Sequence, residues 1–259
     1  MKRWLLIGGG LAGLVLAGGL IYFLTRNRGD EQRVADAQNS QTQSSNMQNE
    51  EQATKDCTSN PTPVFRAHIT DLSLISEIIP PGNTAANLSR PGEMILKSHA
   101  WLTASKEVPV FAPTDAVLYA GSFYTEEGID QYGLFLDVSC EVFLFFDHIQ
   151  RPSDKLQSAF TESARSAERF ERLETPVSFT AGEVIGYTTG TTGPHRWDFG
   201  AYDREKVAQI EGPEGVTLYP RDNLAICPFD LYPTDMKEEY YQRFASLKGE
   251  PIPTLYCSD

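Results

Sequence analysis

Four short apolar runs between residues 108 and 203 constrain the fold more than any other feature of the chain. They read VPVFAPTDAVLYAGSFY (108–124), YGLFLDVSCEVFLFFDHI (132–149), VSFTAGEVIGYTTG (177–190) and WDFGAYD (197–203). β-Branched and aromatic side chains dominate them, and Ala-Pro, Ala-Gly and turn glycines interrupt them, which is the texture of strands rather than helices. The expectation is a mainly β fold, a sheet or sandwich. Two helices are expected beside it. Ser153 can cap a helical insertion over about 153–173, where Leu156, Phe160, Ala164, Ala167 and Phe170 recur at helical spacing. Thr234 can cap a second helix, with Met236, Tyr240, Phe244 and Leu247 on one core-facing stripe.

The N-terminal region sets the compartment. Residues 4–24, WLLIGGGLAGLVLAGGLIYFL, form an uncharged run of 21 residues, long enough at ~1.5 Å per residue to cross a ~30 Å hydrocarbon core. Ala35-Asp36-Ala37 imitates a signal cleavage site but lies beyond Arg26, Arg28, Asp30 and Glu31, so an uncleaved anchor over residues 1–28 is the expectation. Residues 29–60 are Gln, Asn, Ser and Glu with almost no large apolar side chains, a linker that cannot offset ordering entropy by burial. Residues 61–259 suffice for one β domain, with a C-terminal extension over about 221–259.

Basic residues flank both ends of the apolar run, so they orient it weakly. The cysteines help. Cys57, Cys140, Cys227 and Cys257 all follow the run, even in number and without metal-type spacing, which suits disulfides in an oxidising compartment. The domain is therefore expected outside the cytoplasm on a single-pass anchor. Pairing is not readable from spacing, although Cys57 and Cys257 bracket the domain and could staple its ends. With Lys2, Arg3, Arg26 and Arg28 set aside, 18 basic face 35 acidic side chains, a balance of −17 that repels phosphate backbones and excludes nucleic acid as a partner. GxSxG elbows, P-loops, dinucleotide glycine patterns and HExxH are absent.

The succession His99, VPVFAPTDAVLYAG, YG, FFDHI and AGEVIGYTTGTTGPH, over about residues 95–203, resembles the lysostaphin-type (LytM-like) zinc endopeptidases that cut peptidoglycan cross-links. The resemblance implies a β-sheet sandwich with a duplicated hybrid motif. It also implies a site, in which the family binds zinc through the His and Asp of HxxxD and the second His of HxH. His99 stands at the first position, but HAWLT places Thr103 where the Asp belongs. The HxH element fits in two registers: one keeps His195 as the base-like histidine and puts Trp197 at the ligand position, the other puts Arg196 at the base and Asp198 at the ligand. His148 matches a family catalytic histidine.

The matched metal ligands are then His99 and Asp198 alone, one short of the three that catalytic zinc keeps. The expectation is a peptidase-like domain without catalysis and without a resident cofactor, zinc entering only if the site works. Its role would be binding or regulation at the cell envelope, on a wall glycan or peptide or on a partner hydrolase. Active zinc endopeptidase and purely structural envelope protein are the alternatives. Trp101, Thr103, Phe146, Trp197 and Tyr202 are the expected groove residues, with His148 and His195 as remnants of catalysis.

Overall fold

The computed structural model describes residues 57–87, 90–206, 209–253 and 255–257. The expected anchor at 1–28 and most of the linker lie outside the described residues. Among the described residues no helix is long and apolar enough to cross a membrane.

The strands are β1 (Ile75–Ile79), β2 (Asn83–Ala86), β3 (Met94–Lys97), β4 (Ala100–Ala104), β5 (Val108–Phe111), β6 (Ala116–Glu126), β7 (Ile129–Asp137), β8 (Val142–Ile149), β9 (Arg151–Pro152), β10 (Glu171–Phe179), β11 (Val184–Thr188), β12 (Arg196–Asp203), β13 (Val216–Thr217) and β14 (Ala225–Ile226). The largest sheet is antiparallel, in the order β1-β4-β12-β8-β7-β6-β10, and β14 pairs with β12 beyond the end of β4. Two three-stranded sheets, β5-β11-β9 and β13-β3-β2, complete the mainly β architecture expected from the sequence. At the β6–β7 hairpin, Glu126 faces Ile129, leaving Glu127-Gly128 as a two-residue turn with φ of 52° and 79°. Positive φ at both positions gives the twist that neighbouring strands need.

Alternation along the strands divides the side chains between the two faces of the large sheet. Leu144 and Phe146 of β8, with Trp197, Phe199 and Ala201 of β12, enter the main core, where they meet Val108 and Val110 of β5, Ile185 of β11 and the C-terminal Phe229, Tyr232 and Tyr240. Phe143, Phe145 and Tyr202 belong to a second cluster with Tyr119 and Phe135, against which Phe170, Leu224 and Tyr256 pack. The candidate site lies on this second face.

Three expectations are corrected. The insertion over about 153–173 is not a long helix: α1 spans Asp154–Gln157, capped by the Ser153 hydroxyl as expected, and the chain then runs irregularly to β10. Tertiary packing overrides the helical spacing. Phe160 and Phe170 fill notches at two sheet glycines, where an added Cβ on Gly121 or Gly133 would come within 2.6 Å of the respective ring. Between them, the Arg165 backbone exchanges hydrogen bonds with Phe123 and Thr125 and covers the edge of β6. The second helix, α2, spans Thr234–Tyr241 with Pro233 rather than Thr234 at its cap, and ends before Phe244 and Leu247. The cysteines pair as Cys57–Cys140 and Cys227–Cys257, so Cys57 and Cys257 do not staple the ends to each other.

Candidate functional site

The register of β12 resolves the two alignments of the HxH element. Trp197 is fully buried in the main core, while Asp198, one residue on, faces the other way and lies opposite Trp101 of β4 and Asp147 of β8. His99 immediately precedes β4 and is only 6% exposed. A Cβ on Gly200 would sit 3.1 Å from the His99 Cβ, so the missing side chain there gives the imidazole its room beside β12.

His99 Nε2 lies 3.0 Å from Asp198 Oδ2. This close contact pairs the two side chains, while Nδ1 of the buried ring has no hydrogen-bond partner among the described residues. Unpartnered buried polar atoms are rare and costly, about 1–3 kcal/mol each.

His148 reaches the same place through a β-bulge. Tyr132 pairs with Ile149 and Leu134 with Phe146, so Asp147 and His148 together oppose the single residue Gly133. His148 takes φ 64°, a left-handed conformation uncommon outside glycine. Its Nε2 is 3.9 Å from Asp198 Oδ2, and its Nδ1 is 3.0 Å from Gln131 Oε1 and 3.6 Å from Glu126 Oε2. The Tyr124 hydroxyl and the His148 backbone N–H both donate to Asp147 Oδ1, at 2.8 Å each. Asp147, His148 and Asp198 each offer a donor atom within 4.8 Å of the others, so the cluster could hold a metal ion.

Charge is unevenly distributed here. Burial keeps His99 below the usual imidazole range, outweighing the pull of Asp198. Burial also works against charge on His148, but Asp147, Asp198 and Glu126 together raise it. Burial alone would raise Asp198, yet its histidine neighbours and Lys97 hold it below the usual carboxylate range. Glu168, on the segment that follows Phe160, is exposed as a residue but directs its carboxyl towards Asp147; loss of water around that carboxyl and the Asp147 charge push it well up. The Arg221 guanidinium lies 4.9 Å from the Phe145 ring and 5.4 Å from that of Tyr202, so the C-terminal extension closes over one end of this face.

The other expected residues divide. Trp101 is half-buried on the site face, with the Arg196 guanidinium 5.4 Å from its ring. Thr103 donates to Glu77 Oε1 at 3.1 Å, and Arg196 donates to the same oxygen at 3.0 Å. Tyr202 is buried in the second cluster, with its hydroxyl 3.4 Å from Ser98. Phe146 and Trp197 point into the main core and do not line the groove, a correction that the two-residue period of a strand explains. His195 is exposed in the turn before β12 with φ 54°, and among the described residues no hydrogen bond or ion pair joins its side chain to His99, His148 or Asp198. Sequence reasoning did not place Tyr124, Gln131 and Glu168 at the site, because a bulge and an irregular segment bring them there.

A zinc ion is what the resemblance implies, and the residues can be tested against it. The family's own trio fails, since the Thr103 hydroxyl at the carboxylate position is engaged by Glu77. Asp147, His148 and Asp198 nevertheless offer carboxylate and imidazole donors of the kind that zinc accepts, and His99 reaches the cluster only through Asp198.

No family model matches the chain, and no curated protein matches it. The fold is similar to several solved structures, including these three. Csd3 of Helicobacter pylori is 14% identical over 70% of this chain and 40% of that one, with a TM-score of 0.36. SpoIIQ in the SpoIIQ–SpoIIIAH pore forming complex is 11% identical over 69% and 98%, with a TM-score of 0.38. The antimicrobial peptidase lysostaphin from Staphylococcus simulans is 13% identical over 73% and 62%, with a TM-score of 0.36. The chain thus spans less than half of the Csd3 chain it matches. Lysostaphin belongs to the family that the motif order resembles.

Proposed function

We propose that this chain is a membrane-anchored, extracytoplasmic, non-catalytic domain of peptidase-like fold that binds peptidoglycan, or a hydrolase acting on it, at the cell envelope. The observation that carries this reading is the Thr103–Glu77–Arg196 network. Thr103 and Arg196 occupy the positions where the resembled family keeps a ligating carboxylate and a base, and both are tied instead to one carboxylate oxygen. Two disulfides support the oxidising compartment, and the apolar run 4–24 supports the anchor. Trp101 is half-buried, with Lys97 and Arg196 near its ring, an aromatic side chain with polar neighbours of the kind suited to contact with a sugar.

The test is cosedimentation of the full-length protein with purified peptidoglycan sacculi. The expected result is saturable binding that Trp101→Ala weakens by roughly tenfold or more. Absence of binding, together with no change in the rate of an envelope amidase when the protein is added, refutes the proposal.

A further inference from the structure

The large sheet borders a cavity on its other face, away from Asp147 and Asp198. Residues paired directly across two strands point to the same side. Gly121 pairs with Leu134 and Phe123 with Tyr132, and both partners belong to the main core. On this side the irregular chain after α1 forms one wall, with Phe160 seated at Gly121 and Arg165 bridged to Tyr124 at the sheet edge. The other wall is a break in the β6–β10 ladder. Arg172 pairs with Ala120 and Val177 with Leu118, so residues 173–176 stand against Tyr119 alone. Such bulges re-aim side chains and are common beside binding and catalytic sites. Together the two irregularities enclose about 390 Å³. Pockets that take small molecules run from about 300 to 1,000 Å³.

The lining has an apolar and a polar part. Half-buried Phe123, Phe160, Leu173 and Val177 form the apolar part. The two rings are held in place, edge to face at 6.5 Å, with Phe123 stacked on Tyr132. In the polar part, Arg165 Nη2 donates to Glu162 Oε2 at 3.0 Å and to Glu171 Oε2 at 2.6 Å. Arg169 Nε lies 3.3 Å from Glu171 Oε1. These pairs fix planar groups at the cavity wall. Among the described residues both Arg165 bonds leave from Nη2, and a guanidinium has further N–H donors on Nε and Nη1. Glu174 borders the cavity and has no ion pair among the described residues, so its carboxylate adds acceptors.

Charge narrows the ligand. Arg165, Arg169 and Arg172 balance Glu162, Glu171 and Glu174, so the cavity favours neither an anion nor a cation. It offers N–H donors and carboxylate acceptors side by side, next to aromatic and aliphatic surface. A sugar ring matches both parts, because its hydroxyls donate and accept and its C–H face is apolar. We propose that this cavity binds a short neutral saccharide, with Arg165 donating to its hydroxyls, Glu174 accepting from them, and Phe123 and Phe160 beneath the ring. The cavity shares no side chain with the Trp101 surface, so the proposal stands whether or not that surface binds wall material.

The experiment is calorimetric titration of the full-length protein, in a detergent without a sugar headgroup, with N-acetylchitotriose as the neutral probe. Trigalacturonate and trilysine serve as charged probes. The expected result is saturable binding of one N-acetylchitotriose per chain, insensitive to salt, and no binding of either charged probe. Arg165→Ala and Glu174→Ala should each weaken it at least about tenfold, since each removes a charge-assisted hydrogen bond. Arg151→Ala, in the β5-β11-β9 sheet, should leave affinity unchanged. Circular dichroism confirms that each variant is folded, and Glu174, exposed and without an ion pair among the described residues, can be replaced without disturbing the segment. Absence of N-acetylchitotriose binding, preference for a charged probe, or affinity that survives Glu174→Ala overturns the proposal.

Discussion

Gly133→Ala adds one methyl group at the centre of the second face. In an unencumbered strand the change should stabilise by about 0.5–1 kcal/mol, because glycine loses more backbone freedom on folding. Here the new Cβ would stand 2.6 Å from Phe170 Cζ and 3.1 Å from Asp147 Oδ1. The first distance is shorter than any real carbon contact, so the Phe170 ring must leave its notch, and overpacking of this kind costs about 1–3 kcal/mol. The clash therefore outweighs the entropy gain at mid-range, with a net destabilisation of up to about 2.5 kcal/mol. Urea unfolding followed by far-UV circular dichroism, in oxidising buffer, measures it. Phe170→Ala should also destabilise, by the lost packing on Phe135 and Phe145. The double variant should cost less than the sum of the singles, since the clash disappears with the ring. A stabilising Gly133→Ala, or strict additivity of the pair, would refute the packing of the 158–170 segment described above.

Three further outcomes follow. Replacing Cys57 and Cys140 by Ser should destabilise more than replacing Cys227 and Cys257, about 4.5 against about 3.6 kcal/mol from loop closure, because the bridges span 83 and 30 residues; equilibrium unfolding of the two double variants ranks them. Glu141 accepts from the Ser59 hydroxyl and the Asn60 N–H, which hold its carboxyl down at about 2 against an ordinary 4.5. A depressed folded-state value means stability fully present above about pH 4.5 and lost as pH falls towards 2, and Glu141→Gln should flatten the stability profile across that window. Glu77→Ala should cost under about 1 kcal/mol in a thermal melt, because its pair with Arg196 is partly exposed and solvent-screened.

The fold class was legible in the sequence because β-branched and aromatic runs broken by Ala-Pro, Ala-Gly and turn glycines leave a local signature: the runs at 108–124, 132–149, 177–190 and 197–203 contain β5, β8 and β11 and most of β6, β7 and β12. The 153–173 segment was misread because its phenylalanines satisfy a helical period while their partners are glycines on distant strands. Disulfide pairing is likewise a matter of tertiary proximity, and no spacing encodes it. The site was half legible. His99 and Asp198 could be named from motif order, but whether Trp197 or Asp198 faces the groove depends on a register that adjacent residues leave ambiguous. Tyr124, Gln131 and Glu168 carry no local motif, since the bulge at Asp147-His148 and the path of the 161–170 segment bring them into place.

The most direct test of the account is release of soluble fragments from purified peptidoglycan by the full-length protein, with zinc supplied and with a chelator in parallel. The account predicts that the protein sediments with the wall material and releases nothing above the protein-free control in either condition. Zinc-dependent release of cleaved cross-link peptides, abolished by the chelator, would contradict it and identify the cluster as a hydrolytic centre.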